Sequence, residues 1–158
     1  MTVQRRPITY EGHKKLTEDL DRMIRVERPS VIKEIETALG HGDLSENAEY
    51  TYAKEKQSLI ETRIRDLQER ISACEIIDLS NRPAPDRIVF GCSVKIEDVD
   101  TGEQKVYKLL GQDETDVDRG IISVTSPLGK ALIGKEVDDV VEVKTPNGVR
   151  EYEVIEIS

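Results

Sequence analysis

The sequence predicts an α+β chain: an N-terminal antiparallel two-helix coiled-coil hairpin followed by a C-terminal antiparallel β-sheet domain with one short helix. Three observations predict it. Apolar residues spaced three and four apart fill the first half, whereas the second half breaks into short β-branched runs. A proline-bearing stretch without periodicity, Ser80-Asn81-Arg82-Pro83-Ala84-Pro85-Asp86-Arg87, separates the two patterns, as linkers do. The composition is 35% charged but only 4% aromatic, with one Phe and no Trp, a balance that suits long exposed helices better than one thick core.

The first arm is expected over 10–39. Thr9 is placed as its N-cap after Pro7, and Leu16, Leu20 and Met23 form its stripe. Pro29 lacks a backbone donor, so a kink or a phase shift is expected there before Val31, Ile32, Ile35, Ala38 and Leu39 resume the stripe. The returning arm follows a stricter alternation through Tyr50, Ala53, Gln57, Ile60, Ile64, Leu67, Ile71 and Cys74, the a/d pattern of a coiled coil with polar Gln57 as its break. Gly40 and Gly42 stop the first arm only a few residues before the second begins, so an antiparallel hairpin is the economical solution. Arms of about 30 residues are roughly 45 Å long at the α-helical rise. The hairpin is thereby assigned to 1–79 with an acidic tip at 40–50, the linker to 80–87 and the sheet domain to 88–158.

In the sheet domain, strands are expected over 93–99, 106–110, 121–124, 137–144 and 150–157. Asp100-Thr101-Gly102-Glu103 and Thr145-Pro146-Asn147-Gly148 read as hairpin turns, the second carrying the Asn-Gly pair favoured in type I′ turns. Ser126 as N-cap, Pro127 in the first turn and Gly134 at the end delimit a short helix that can cover one sheet face. The acidic run 112–118 is expected to be a solvated loop.

A formal net charge of −9 argues against autonomous nucleic-acid binding, because Lys and Arg neutralising phosphates supply most of the affinity of such proteins. It favours a basic protein surface or a metal-rich site instead. Cys74 and Cys92 lack neighbouring ligands at metal spacing and read as reduced apolar residues. No apolar run approaches the roughly 20 residues that span a bilayer, and residues 1–7 lack a signal-peptide core. A cytoplasmic monomer with no membrane association is expected.

The chemistry concentrates at the predicted hairpin end, where Asp43, Glu46 and Glu49 lie within seven residues. One reading is structural: Asp followed three residues later by Glu has the spacing of a capping box. The other is catalytic, because Mg2+ is commonly held by one or two protein carboxylates, with water and substrate phosphates completing the shell. Two carboxylates are too few to hold it alone but enough to complete a site that another protein half supplies, where they position or activate a water. His41 and His13 are read as surface polar residues. No nucleophile–base set, phosphate loop or Cys/His metal set accompanies them, so catalysis by the chain alone is not expected.

The stretch Gly42-Asp43-Leu44-Ser45-Glu46-Asn47-Ala48-Glu49-Tyr50 resembles the tip signature of the bacterial GreA/GreB transcript cleavage factors. Val89-Phe90-Gly91, Ile122-Ser123-Val124-Thr125-Ser126-Pro127 and Gly134-Lys135-Glu136 resemble segments of their C-terminal domain. The resemblance covers essentially the whole chain. It implies an FKBP-like fold for the C-terminal domain, which docks on RNA polymerase at the secondary-channel rim through a surface around Ser126, Pro127, Leu128 and Ala131. It implies that the hairpin enters the channel and that Asp43 and Glu46 share a Mg2+ of the polymerase active site, stimulating cleavage of backtracked RNA to release a 3′ fragment. Leu39 and Ser45 stand near where other members carry basic residues, leaving Lys54 and Lys56 as the basic residues closest to the RNA 3′ end. That weak basic patch, with the net acidity, points to the GreA type and to short fragments.

Three other readings compete. An inhibitory relative would occupy the channel without stimulating cleavage. A prolyl isomerase would need an aromatic pocket, and 88–158 offers only Phe90, Tyr107 and Tyr152. A passive coiled-coil scaffold would explain the heptads but not the acids at the turn.

Overall fold

The computed structural model of the chain describes residues 5–42 and 47–158. Two compact units are formed. One is His13–Ala73, and the other joins the stretch up to Gly12 to Cys74–Ser158.

Helix α1 (Tyr10–Arg22) starts where the Thr9 hydroxyl accepts the Gly12 N–H at 3.1 Å, the cap expected from the sequence. A π-helical turn, Met23–Glu27, joins it to α2 (Arg28–Leu39), and the Arg28 N–H donates to the Met23 carbonyl five residues back. The expected phase shift at Pro29 therefore takes the form of a widened turn just ahead of it. Pro29 cannot donate to the Arg25 carbonyl and its ring would crowd that oxygen in a regular helix, and a π turn opens the backbone at this point.

The returning helix α3 (Ala48–Ala73) runs antiparallel to α2. Its partners show the direction: Arg28 pairs with Glu61, Glu34 with Lys56 and Ala38 with Asn47, so one number rises as the other falls. Val31, Ile60 and Ile64 form a buried cluster on which Leu20, Met23 and Ile24 pack. Ala53 and Leu67 are buried on the same predicted stripe, while Gln57 is half-buried. Cys74, predicted as its last member, instead opens a strand.

The second unit contains two sheets. β1 (Arg6–Ile8) and β2 (Cys74–Ile76) pair in parallel, Arg6 opposite Cys74 and Ile8 opposite Ile76. The larger sheet comprises β3 (Ser93–Asp98), β4 (Gln104–Leu110), β5 (Ile121–Ser123), β6 (Val140–Thr145) and β7 (Gly148–Ile157) in the order β5-β4-β3-β7-β6. The strand positions agree with the sequence reading, but the all-antiparallel expectation is corrected: β4 and β5 are parallel, Lys108 opposite Ile121. A parallel neighbour needs a crossover rather than a tight turn, and residues 111–120 supply it, ending in a 3-10 turn (Val117–Arg119) and Gly120 at φ 72°.

Alternate residues of β3, Val94, Ile96 and Asp98, point inward, the period-2 pattern of a half-buried strand. Val94 and Ile96 join Ile88, Cys92, Leu109, Leu132, Val141, Val143 and Val154 in one core. Helix α4 (Pro127–Leu132) covers it through Leu132, as the sequence predicts. The second hairpin turn differs from expectation. Pro146 and Asn147 form the two-residue loop, Thr145 pairs with Gly148, and among the described non-glycine residues only Asn81 and Asp138 have positive φ. A type I′ turn requires positive φ at both central residues, which Pro146 cannot adopt.

The acidic run is not simply solvated. Asp113, its side chain 2% exposed, receives Arg6 Nε and Nη2 at 2.9 and 2.7 Å. Glu114 accepts the Thr9 N–H at 3.1 Å, the Thr9 hydroxyl and the Gly111 N–H at 3.1 Å. A Cβ on Gly111 would stand 2.0 Å from the Pro7 carbonyl oxygen, so only glycine lets the crossover lie this close to β1.

Candidate functional site at the hairpin turn

Helix α2 ends at Leu39, after which the His41 N–H reaches the Ala38 carbonyl at 3.1 Å and Gly42 takes φ +104°. The left-handed value at Gly42 is one that L side chains rarely adopt, and it turns the chain out of the helix immediately before Asp43. Asp43 and Glu46, the predicted metal-binding pair, lie outside the described residues.

Asn47 closes the other side. Its Oδ1 accepts the Tyr50 N–H at 3.0 Å, which makes it the N-cap of α3. Its Nδ2 donates to the Ala38 carbonyl at 2.7 Å. The capping-box reading of Asp43 and Glu46 falls on residues outside the described ones, and among the described residues the first turn of α3 receives a side-chain cap from Asn47. The sequence contained this signal, because Asn is among the best caps and directly precedes Ala48. The match of Asp43 and Glu46 to capping-box spacing masked it.

Glu49 holds His41 Nδ1 at 2.8 Å, although both side chains are more than half exposed. Lys54 lies exposed on α3 with its Nζ 3.2 Å from Gln57 Oε1. Lys56 is engaged across the hairpin by Glu34 at 2.9 Å. The hydrogen bond and charge of Glu34 hold the Lys56 ammonium above its ordinary pKa. Further from the tip, Arg28 grips Glu61 through two bonds of 2.8 and 2.9 Å, and that hydrogen bonding keeps the Glu61 carboxyl below its usual range.

The expected docking residues lie in the other unit. The Ser126 hydroxyl accepts the Gly129 N–H at 3.0 Å and donates to the Ser123 carbonyl at 2.6 Å. Pro127 is exposed, whereas Leu128 and Ala131 pack partly against the sheet core. A Cβ on Gly129 would lie 2.1 Å from the Ser123 oxygen, so this cap geometry depends on glycine there. Among the described residues no helix is long and apolar enough to cross a membrane, and no cluster of three or more His, Cys, Asp or Glu could hold a metal.

Two family profiles match in tandem: "Transcription elongation factor, N-terminal" over residues 6–76 and "Transcription elongation factor, GreA/GreB, C-term" over residues 82–158. Similar curated proteins include transcription elongation factor GreA of Syntrophobacter fumaroxidans, 54% identical over 96% of both chains. The GreA protein of Thermodesulfovibrio yellowstonii is 52% identical over 96% of both. Among solved structures, GreA factor homolog 1 of Thermus thermophilus aligns over 98% of this chain and 99% of its own at 29% identity with a TM-score of 0.45, too loose a superposition to add to the sequence match. A helical hairpin and a separate sheet unit in one chain, matched in both halves, define the class: a transcription elongation factor. Within that class the chain belongs to the GreA/GreB family.

Proposed function

We propose that the chain binds RNA polymerase, docks its sheet unit at the rim of the secondary channel and presents Asp43 and Glu46 to the polymerase active site, stimulating cleavage of backtracked RNA. The observation that carries this reading is the tandem family match together with the presence of Asp43 and Glu46 in the sequence between α2 and α3. The donor set suits the role, since two hard carboxylates match Mg2+ but cannot complete its shell. Mg2+, when bound, supplies charge neutralisation at the phosphate and acidifies the attacking water. The chain's own contribution is to bring two carboxylates to that place and to orient the water.

The FKBP-like fold, the docking of the surface around Ser126, Pro127, Leu128 and Ala131, and the approach of Lys54 toward the RNA 3′ end belong to the same proposal. Lys56 contributes there only by releasing Glu34. Short released fragments are expected from so weak a basic patch.

The test uses stalled, backtracked elongation complexes. The native chain is expected to shorten the RNA and restart elongation. Asp43→Asn with Glu46→Gln should abolish shortening while melting behaviour and polymerase binding stay unchanged. Cleavage that survives this double substitution would overturn the metal reading, and slowing without shortening would identify an inhibitor.

A further inference from the structure

We propose that the open edge of the larger sheet, strand β6, pairs with β6 of a second copy of this chain, antiparallel about a two-fold axis at Val143, in place of the monomer expected from the sequence. β6 stands at one end of the strand order β5-β4-β3-β7-β6. The other end is covered, because Ile121 of β5 exchanges backbone bonds of 2.9 and 3.0 Å with Asp116. On β6 the Asp139 carbonyl accepts the Val154 N–H at 2.9 Å, and Thr145 pairs with Gly148. Alternate residues of an antiparallel strand bond the same neighbour. Val141, Val143 and Thr145 therefore turn their N–H and C=O groups toward β7, and those of Val140, Glu142 and Lys144 face the edge. Among the described residues no hydrogen bond outside the ladder and no ion pair engages Glu142 or Lys144, and both residues are exposed.

Such an edge is a template for strand addition, and charge selects both occupant and register. Bonds form only where edge-facing residues meet, which sets even-numbered residues against even-numbered ones. A two-fold axis at Glu142 or at Lys144 would place each of those residues against its own copy, like charge on like. Of the registers that satisfy the backbone, the axis at Val143 is the one that sets Glu142 opposite Lys144 of the second copy and Lys144 opposite its Glu142. Opposite charges so placed stabilise a sheet. The same pairing offsets a conflict within one chain, since Glu142 lies directly opposite Glu151 on β7 and like charges in that position destabilise a ladder. Lysine from the second copy would flank Glu142 on its other side. Val140, 53% exposed, falls opposite Pro146, and the pairing stops there because proline has no N–H to give. A lone edge lysine blunts strand addition, but the acid two residues before it makes this strand self-complementary. One continuous sheet results, with five strands from each copy. The inference does not depend on the polymerase reading.

Charge reversal in the full chain tests the pairing. Sedimentation of the native chain at low ionic strength, taken up to about 1 mM, should show a reversible monomer–dimer equilibrium that added salt shifts toward monomer. Glu142→Lys and Lys144→Glu each make both intermolecular pairs repulsive. Each should raise the dissociation constant by about tenfold or more. Folding should survive in both, since the two side chains are exposed and Glu142→Lys also removes the clash of charge with Glu151. Melting curves check this. Mixed in equal amounts, the two single variants should recover a dimer of native strength, because each offers the charge that the other lacks. A native chain that stays monomeric throughout overturns the proposal, and if Glu142→Lys then weakens binding to RNA polymerase, the edge takes a strand of the polymerase instead. Dimers that survive both reversals form through another surface, and a mixture that stays monomeric rules out the Val143 register. Either result also overturns the pairing.

Discussion

At the scale of single residues, the role of a side chain follows from which polar groups it satisfies. Asn47 was legible as a cap from its type and place, yet its second bond, to the Ala38 carbonyl nine residues back, follows only from how close the two helices lie. Asp98 is similar. It occupies an inward position of β3, its side chain is 6% exposed, and it accepts the Asp100 and Thr101 N–H groups at 2.9 and 3.2 Å and Arg150 Nη1 at 3.1 Å. Those backbone bonds come first in holding its carboxyl below the ordinary value near 4, and the Arg150 contact adds to them. A lowered carboxyl stabilises the fold fully above the unfolded value and ceases to do so as pH falls through its folded value. Thermal melts between pH 5 and 2 should therefore show a falling limb to which Asp98 contributes. Asp98→Asn keeps acceptors for the turn amides but not the charge, and its melting temperature should fall less steeply over that range. An acid limb identical to the native one would remove Asp98 from the account.

At the scale of elements, the long periodic helices were readable because each repeats its signal over many turns. The three-residue strands β1 and β2 were not. Arg6–Ile8 and Cys74–Ile76 are too short to show alternation, and their parallel pairing joins residues 68 apart, Arg6 with Cys74. The parallel β4–β5 pair escaped for the same reason, since strand direction is set by the crossover and not by the strand's composition. The seam of the hairpin makes a quantitative claim. Ile64 is 2% exposed within the Val31, Ile60, Ile64 cluster, whereas Leu59 on the same helix is 72% exposed. Ile64→Ala should destabilise the helical unit by about 2–5 kcal/mol through lost burial and a residual cavity, while Leu59→Ala should stay within about 0.5 kcal/mol. Far-UV circular dichroism melts measure both. Equal effects at the two positions would mean that Ile64 does not face the seam in solution.

At the scale of the whole molecule, the sequence marked one boundary, at 80–87, because prolines and loss of period mark linkers. The compact units divide elsewhere: the stretch up to Gly12 and the residues from Cys74 onward share one unit. The physical reason lies in partners that no local pattern announces. Arg6 pairs with Asp113, Thr9 with Glu114, and β1 with β2, so the start of the chain is tied to the crossover between β4 and β5. Arg6→Ala tests this. It leaves the Asp113 carboxylate, 2% exposed, without its bidentate guanidinium, a loss of charge-assisted bonds that should cost about 1.5–3 kcal/mol. The cost should appear where the crossover sits. Hydrogen exchange at amides of 108–123 should accelerate well above native rates, while amides of 55–70 in α3 keep theirs. Arg6→Lys retains the charge but not the planar two-point grip, and should fall between the two. If α3 loosens as much as the crossover does, the chain's beginning belongs energetically to the helical unit, and the division at Gly12 and Cys74 does not describe how the molecule comes apart.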